Sequence, residues 1–200
     1  MSQSDYNWLF VDEGNLTPRG FLFAGISAGL KTSNKKDLAL ILAPEGSIFS
    51  GMFTQSIVRA SCVDICEERI KTTSGFVRAI LINSGQANAC TGNLGIQHFQ
   101  IATGKIAELL GIKEEEVLMC STGVIGVPIQ INDLVKNLPN LVSDLKGNNF
   151  QNAAEAILKC WMPRSPVQAF AWPELISIAL TKPEVVLILS SQISTQEART

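Results

Sequence analysis

Two hundred residues, with 46% hydrophobic and 17% charged side chains, fit one domain, or one and a fraction, with a substantial buried core. A net charge of −2 with no basic block gives nucleic acid no electrostatic footprint and argues against a polyanion or membrane-surface role. No apolar run reaches the ~18 residues that a spanning helix needs, and Met1 to Trp8 lacks the charged-then-apolar order of a signal segment.

The N-terminal elements read as strands. Leu22 to Leu30 alternates around small residues, with Gly25 and Gly29 permitting close backbone approach. Asp37 to Ala43 is a short apolar strand stopped by Pro44 and Gly46, and Ile48 to Thr54 reads as another. Val63 to Ile70 is a short helix with Asp64, Glu67 and Glu68 on its charged face. Phe76 to Ile82 is a buried strand by length and branching.

Helical spacing returns from Gln97 to Leu110, with Ile101, Ala102, Ile106, Leu109 and Leu110 on the apolar side and Gly111 as the stop. Glu114 to Met119 leads into a strand, its three glutamates forming a solvated helix start. Asn132 can cap a helix to about Leu145, with a kink or break at Pro139, and Phe150 to Leu158 is one more helix. Interleaved strands and helices make the class α/β or α+β.

Composition changes after Leu158. Residues 159–200 hold no Gly, Asn or Asp, whereas all 15 glycines precede Lys159. Glycine and asparagine supply turns, so this segment does not read as more of the same domain. The chain divides into a domain over 1–158 and a divergent tail over 159–200. Two accounts of the tail are open. One is a short helical appendage with Glu184 to Ser190 as a strand; the other is translation in a shifted reading frame.

Two polar stretches follow apolar runs. Cys120-Ser121-Thr122-Gly123-Val124-Ile125-Gly126 follows Val117-Leu118-Met119 and opens as a loop. Asn83-Ser84-Gly85-Gln86-Ala87-Asn88-Ala89-Cys90-Thr91-Gly92 follows the strand ending at Ile82. Hydroxyls and bare N–H groups gathered at strand ends can hold a carbonyl oxygen as it gains negative charge. From local sequence alone, each stretch reads more simply as a turn that satisfies its own backbone.

Other candidates are weaker. His98, the sole histidine, has no acidic partner in local sequence, so a Ser-His-Asp triad and a hydrolase built on it are poorly supported. Gly104-Lys105 is not a phosphate loop, and the early glycines form no dinucleotide fingerprint. Five cysteines (Cys62, Cys66, Cys90, Cys120, Cys160) match no zinc spacing. They read as ordinary thiols of a reducing cytoplasm, with a Cys62–Cys66 redox pair as the other reading.

Several motifs occur together and in order: Thr17-Pro18-Arg19-Gly20-Phe21, Ala24-Gly25-Ile26, Lys35-Lys36-Asp37-Leu38-Ala39-Leu40, Asn83 to Gly92, and Ser121 to Gly126. From about Asn15 to Leu158 the chain resembles the N-terminal half of the ornithine acetyltransferase family. These are the glutamate N-acetyltransferases and amino-acid acetyltransferases of arginine synthesis.

The resemblance implies an incomplete layered α/β sandwich. It implies acetyl transfer from N-acetylornithine to glutamate, with acetyl-CoA as co-substrate in bifunctional members and no resident cofactor or metal. Family members cut themselves before an internal threonine. That threonine then heads the second chain and attacks through an acetyl-enzyme, with its free amine as base. Thr122 and Gly123 are, by motif, the oxyanion donors. A second, β-like chain is the implied partner, in a heterotetramer.

The departures coincide with the change in composition. Lys159-Cys160-Trp161 stands where the family continues with a Thr-Thr-Asp segment. The Lys-Gly-Ser-Gly and Asn-Met-Ala-Thr segments are missing, and Thr181, Thr195 and Thr200 lie in no such context. The coincidence favours a shifted or truncated reading frame over an appendage. It implies a chain without its own nucleophile, either inactive alone, a silent remnant, or a binding module for acyl-amino acids.

Overall fold

A computed structural model describes residue 18, residues 20–158, and the backbone of 176–181 and 184–189. Strand β1 (Leu22–Ile26) pairs antiparallel with β2 (Leu38–Leu42), and β2 antiparallel with β3 (Ala79–Gln86). Strand β3 runs parallel to β4 (Val117–Val124). The sheet order is β1-β2-β3-β4, so β4 is an edge among the described residues. The near-continuous burial of Ala79 to Ser84 and of Val117 to Met119 fits strands covered on both faces.

The helices are α1 (Ser61–Thr72), α2 (Gly92–Leu110), α3 (Ile131–Ser143) and α4 (Phe150–Ile157). Helix α2 lies in the crossover that a parallel β3–β4 pair requires. Gly111 ends it with φ +66°, a left-handed stop. Helix α4 lies across β1, β2 and β3. It presses so close that a Cβ on Gly25 would stand 2.1 Å from the Asn152 carbonyl oxygen. The Phe150 ring meets Phe23 edge-on at 5.3 Å. Helices α1 and α2 pack along β4, and α3 packs on α2, β1 and β2. The sheet is thus the middle layer of a mixed α/β sandwich.

Several expected boundaries move. The first strand ends at Ile26 rather than Leu30, because the buried Asp37 carboxylate accepts the Ala28 N–H at 2.6 Å and the Lys31 N–H at 2.9 Å. Those bonds curl the chain into a loop before it can extend. The strand expected from Ile48 to Thr54 does not form. Ile48 makes a single bridge to Phe76, and the following residues find no ladder, with Met52 and Ile57 exposed. Apolar alternation needs an available edge to become a strand.

Helix α3 starts at Ile131 with no side-chain cap, and it runs through Pro139 without breaking. That proline is exposed, whereas Leu134, Leu138 and Leu141 are buried. Glu114–Glu116 form a single 3-10 turn rather than a solvated helix start. Glu114 pairs with the buried Arg69 guanidinium, which also donates to the Glu114 and Val117 carbonyls.

Beyond Leu158, Ile176–Thr181 pairs antiparallel with Glu184–Leu189, which includes most of the strand expected there. Met1 to Trp8, Thr17, Arg19, Lys159-Cys160-Trp161, Thr195 and Thr200 lie outside the described residues.

Candidate functional site

The two polar stretches are the ends of adjacent strands. The apolar part of β3 stops at Ile82 and the strand continues as Asn83-Ser84-Gly85-Gln86. That of β4 stops at Cys120 and continues as Ser121-Thr122-Gly123-Val124. Their parallel register sets Asn83 against Ser121, Ser84 against Thr122, Gly85 against Gly123, and Gln86 against Val124. Both stretches were expected as loops. They extend as strand because each gives the other a ladder partner.

Asn83 ties the two ends together. The Ser121 hydroxyl donates to Asn83 Oδ1 at 2.6 Å, and Asn83 Nδ2 donates to the Gln86 carbonyl at 3.0 Å. On the opposite face the buried Ser84 hydroxyl donates to the Ala156 carbonyl at the end of α4, with the Asp37 carbonyl 3.5 Å away. Thr122 shares that face through its register with Ser84. Its Oγ1 makes no hydrogen bond to any described residue, and the residue is half-buried.

The Gly123 N–H faces outward by strand alternation. Val124 turns its carbonyl toward β3, where it accepts the Ala87 N–H at 2.9 Å. The preceding Gly123 N–H therefore points to the open edge of β4. The Ser121 N–H, two residues earlier, points to the same edge and partly offsets the burial that raises the Cys62 thiol. Thr122 and Gly123 thus supply consecutive donors, and among the described residues no strand lies beyond β4.

A loop expected only as a continuation of β1 completes this corner. The Lys31 stem passes 3.5 Å from where a Gly85 Cβ would stand, and the Leu30 carbonyl oxygen lies 2.9 Å from the same point. Lys31 Nζ donates to the Leu158 carbonyl at 2.7 Å and to the Lys36 carbonyl at 3.1 Å. Lys36 Nζ reaches Asn152 and Glu155. Cationic groups at a helix C-terminus complement its dipole, so this loop fixes the end of α4 beside Ser84.

Sequence reasoning missed Lys31, Ser84 and Gln86 as individual residues. Asp37 carried the one available signal. An Asp following a Thr-Ser-Asn stretch and directly preceding an apolar strand is a turn former that binds nearby backbone N–H groups.

The other candidates are not assembled into a site. His98 is 8% exposed in α2, and its Nδ1 has no hydrogen-bond partner among the described residues. Burial holds its pKa below the ordinary histidine value. Burial pushes the Cys62 thiol up to about 11 and the Cys66 thiol up to about 12. Burial also raises Cys120 well above its ordinary value. All three are poor nucleophiles. Among the described residues no group of three or more His, Cys, Asp or Glu side chains is placed to hold a metal, and no helix is long and apolar enough to cross a membrane.

The family model of the ArgJ family matches residues 22–160, which include both strand ends and α4. The chain belongs to the ArgJ family. It is 74% identical over 148 residues to the arginine biosynthesis bifunctional protein ArgJ of Prochlorococcus marinus subsp. pastoris, covering 74% of this chain and 37% of that protein. It is 42% identical over 152 residues to ArgJ 1 of a Nostoc species, covering 76% of this chain and 37% of the relative. The chain therefore spans little more than a third of the length of these curated ArgJ proteins.

Two solved structures share the fold. One is an ornithine acetyltransferase of Mycobacterium tuberculosis complexed with ornithine, at 32% identity and TM-score 0.68, covering 74% of this chain and 79% of that one. The other is the ArgJ of Bacillus halodurans, at 26% identity and TM-score 0.68, covering 86% of this chain and 85% of that one.

Proposed function

We propose that this ArgJ-family chain supplies the acyl-oxygen half of an ornithine acetyltransferase, which moves acetyl from N-acetylornithine to glutamate. One observation carries the reading: Thr122, with its side chain on the Ser84 face, and Gly123, with its N–H turned to the edge of β4, are consecutive donors without internal partners among the described residues. Preorganised donors of this kind stabilise the oxyanion that forms when a nucleophile adds to the acetyl carbon. They act without reorganising at the moment of reaction, because the β3–β4 ladder already holds the backbone.

The attacking group in this reading is a threonine hydroxyl on a complementary, β-like polypeptide, in an assembly of heterotetramer type. It adds to the acetyl carbonyl, ornithine leaves, and the acetyl-enzyme passes its acetyl to the glutamate amine. Acetyl-CoA is an alternative donor through the same corner. By itself the chain binds N-acetylornithine and does not turn it over. Residues 159–200 form a divergent tail outside this unit, in keeping with a shifted reading frame.

The test mixes the purified chain with a recombinant C-terminal portion of a full-length relative and follows N-acetylglutamate from N-acetylornithine and glutamate. Product in the mixture alone, lost with Thr122→Ala, supports the proposal. Turnover by the unmixed chain would place the nucleophile within these 200 residues. No binding of N-acetylornithine and no product in any mixture would remove the reading altogether.

A further inference from the structure

The last two described strands form a sheet of their own. Strand β5 (Ile176–Thr181) pairs antiparallel with β6 (Glu184–Leu189), and no other described element makes more than passing contact with them. The outer edge of each strand therefore has no partner among the described residues. A lone two-stranded hairpin is marginally stable in water, and further strands with an apolar face are needed to secure it.

The two strands differ in pattern. β5, Ile-Ser-Ile-Ala-Leu-Thr, alternates large apolar with small or polar residues, as a strand covered on one face does. β6 runs Val185-Val186-Leu187-Ile188-Leu189 without a break. A continuous aliphatic run belongs to an interior strand, apolar towards both faces of its sheet. Here it stands at an edge.

Charge, proline and bulges normally guard an exposed edge. The β5–β6 register is a plain ladder with no bulge. Lys182, Pro183 and Glu184 all fall where the chain turns between the strands, which leaves Val185 to Leu189 unguarded.

Charge also selects the occupant and its direction. A second β6 laid parallel and in register would set Glu184 beside Glu184, about 5 Å apart. Turned antiparallel about Leu187, it sets Leu187 against Leu187, Val186 against Ile188 and Val185 against Leu189. The two Glu184 positions then go to opposite ends. Every pair from 185 to 189 is aliphatic, and a two-fold lets the same edge serve both copies and close.

We infer that β6 is a self-association site, through which two copies of this chain join edge to edge in a four-stranded sheet of order β5-β6-β6-β5. The β5–β6 register gives each copy six aliphatic positions on one face of that sheet: Ile176, Ile178, Leu180, Val185, Leu187 and Leu189. The interface involves neither β3 nor β4, so it stands or falls separately from the acyl-oxygen reading.

The test is sedimentation velocity on the whole chain over a wide range of concentration. Wild type should show a reversible monomer–dimer equilibrium. Leu187 opposes its own counterpart across the two-fold, so Leu187→Lys sets ammonium against ammonium and Leu187→Glu sets carboxylate against carboxylate. Each variant alone should raise the dimer dissociation constant about 10-fold or more, and an equimolar mixture of the two should recover the dimer. A wild-type chain that stays monomeric would overturn the inference. So would a single variant that dimerises as tightly as wild type, a mixture no tighter than its components, or growth into open-ended assemblies. Hydrogen exchange on wild type decides the matter even if neither variant folds. Amides of residues 185–189 should gain protection as concentration rises, and those of β1 should not. Association without that protection would place the interface elsewhere and overturn the assignment.

Discussion

Gly85 and Gly123 face each other in the β3–β4 ladder so closely that a Cβ on Gly123 would lie 2.2 Å from the Gly85 carbonyl carbon. Gly123 also has φ +141°, a conformation that L side chains rarely adopt. The two strand ends can therefore stay in register only with glycine at this point.

Gly123→Ala should lower stability by about 3 kcal/mol, from backbone strain together with the overlap on Gly85. Gly46→Ala is the control. Its φ is +80° and no atom lies within 4 Å of its Cβ position, so only the backbone term of about 1 kcal/mol applies. Urea denaturation of both variants measures the difference. Equal losses would mean that the contact with Gly85 relaxes freely.

Thr122→Ala should separate chemistry from stability. Its Oγ1 makes no hydrogen bond to a described residue, so the change in unfolding free energy should stay within about 0.5 kcal/mol. In a catalytically complemented mixture the turnover number should fall about 100- to 1,000-fold. Steady-state rates and a melting curve on the same preparation check both halves.

Lys31→Met should loosen the end of α4. It removes the ammonium that holds the Leu158 and Lys36 carbonyls while keeping the stem that passes over Gly85. A cost of about 1–3 kcal/mol is expected for carbonyls left without a charged donor. Amide hydrogen exchange should quicken in residues 150–158 and stay unchanged in α2. Uniform quickening would indicate that Lys31 supports the whole core instead.

The buried thiols predict an alkaline loss of stability. Their folded pKa values, about 11 for Cys62 and about 12 for Cys66, lie above the ordinary value of 9.0. The unfolded chain therefore loses these protons first as pH rises. The contribution is fully present below about pH 9 and disappears between pH 9 and the folded values. For Cys62 it is on the order of 3 kcal/mol. Replacing both residues by alanine should flatten denaturation midpoints measured from pH 8 to 11. At pH 8 a thiol reagent should modify exposed Cys90 quickly and reach Cys62 and Cys66 only on unfolding.

Local chemistry explains what was readable in the chain itself. The apolar runs at Leu38–Leu42 and Val117–Met119, the periodicity of α2 and its glycine stop are set by side chains that carry their own preferences. So is the pairing of hydroxyls with glycine at Thr122 and Gly123. The ordered motifs place these residues in their family by themselves. The pairing of Asn83–Gln86 with Ser121–Val124 was not readable, because a polar stretch becomes strand only when a neighbour offers it a ladder. Nor was the part played by Gln86, Lys31 and Ser84. Their roles arise from carbonyls at Leu30, Leu158 and Ala156, distant in the chain and brought close by the docking of α4 on the sheet. Residue type is a property of one position, whereas an unmet hydrogen bond is a property of everything packed around it.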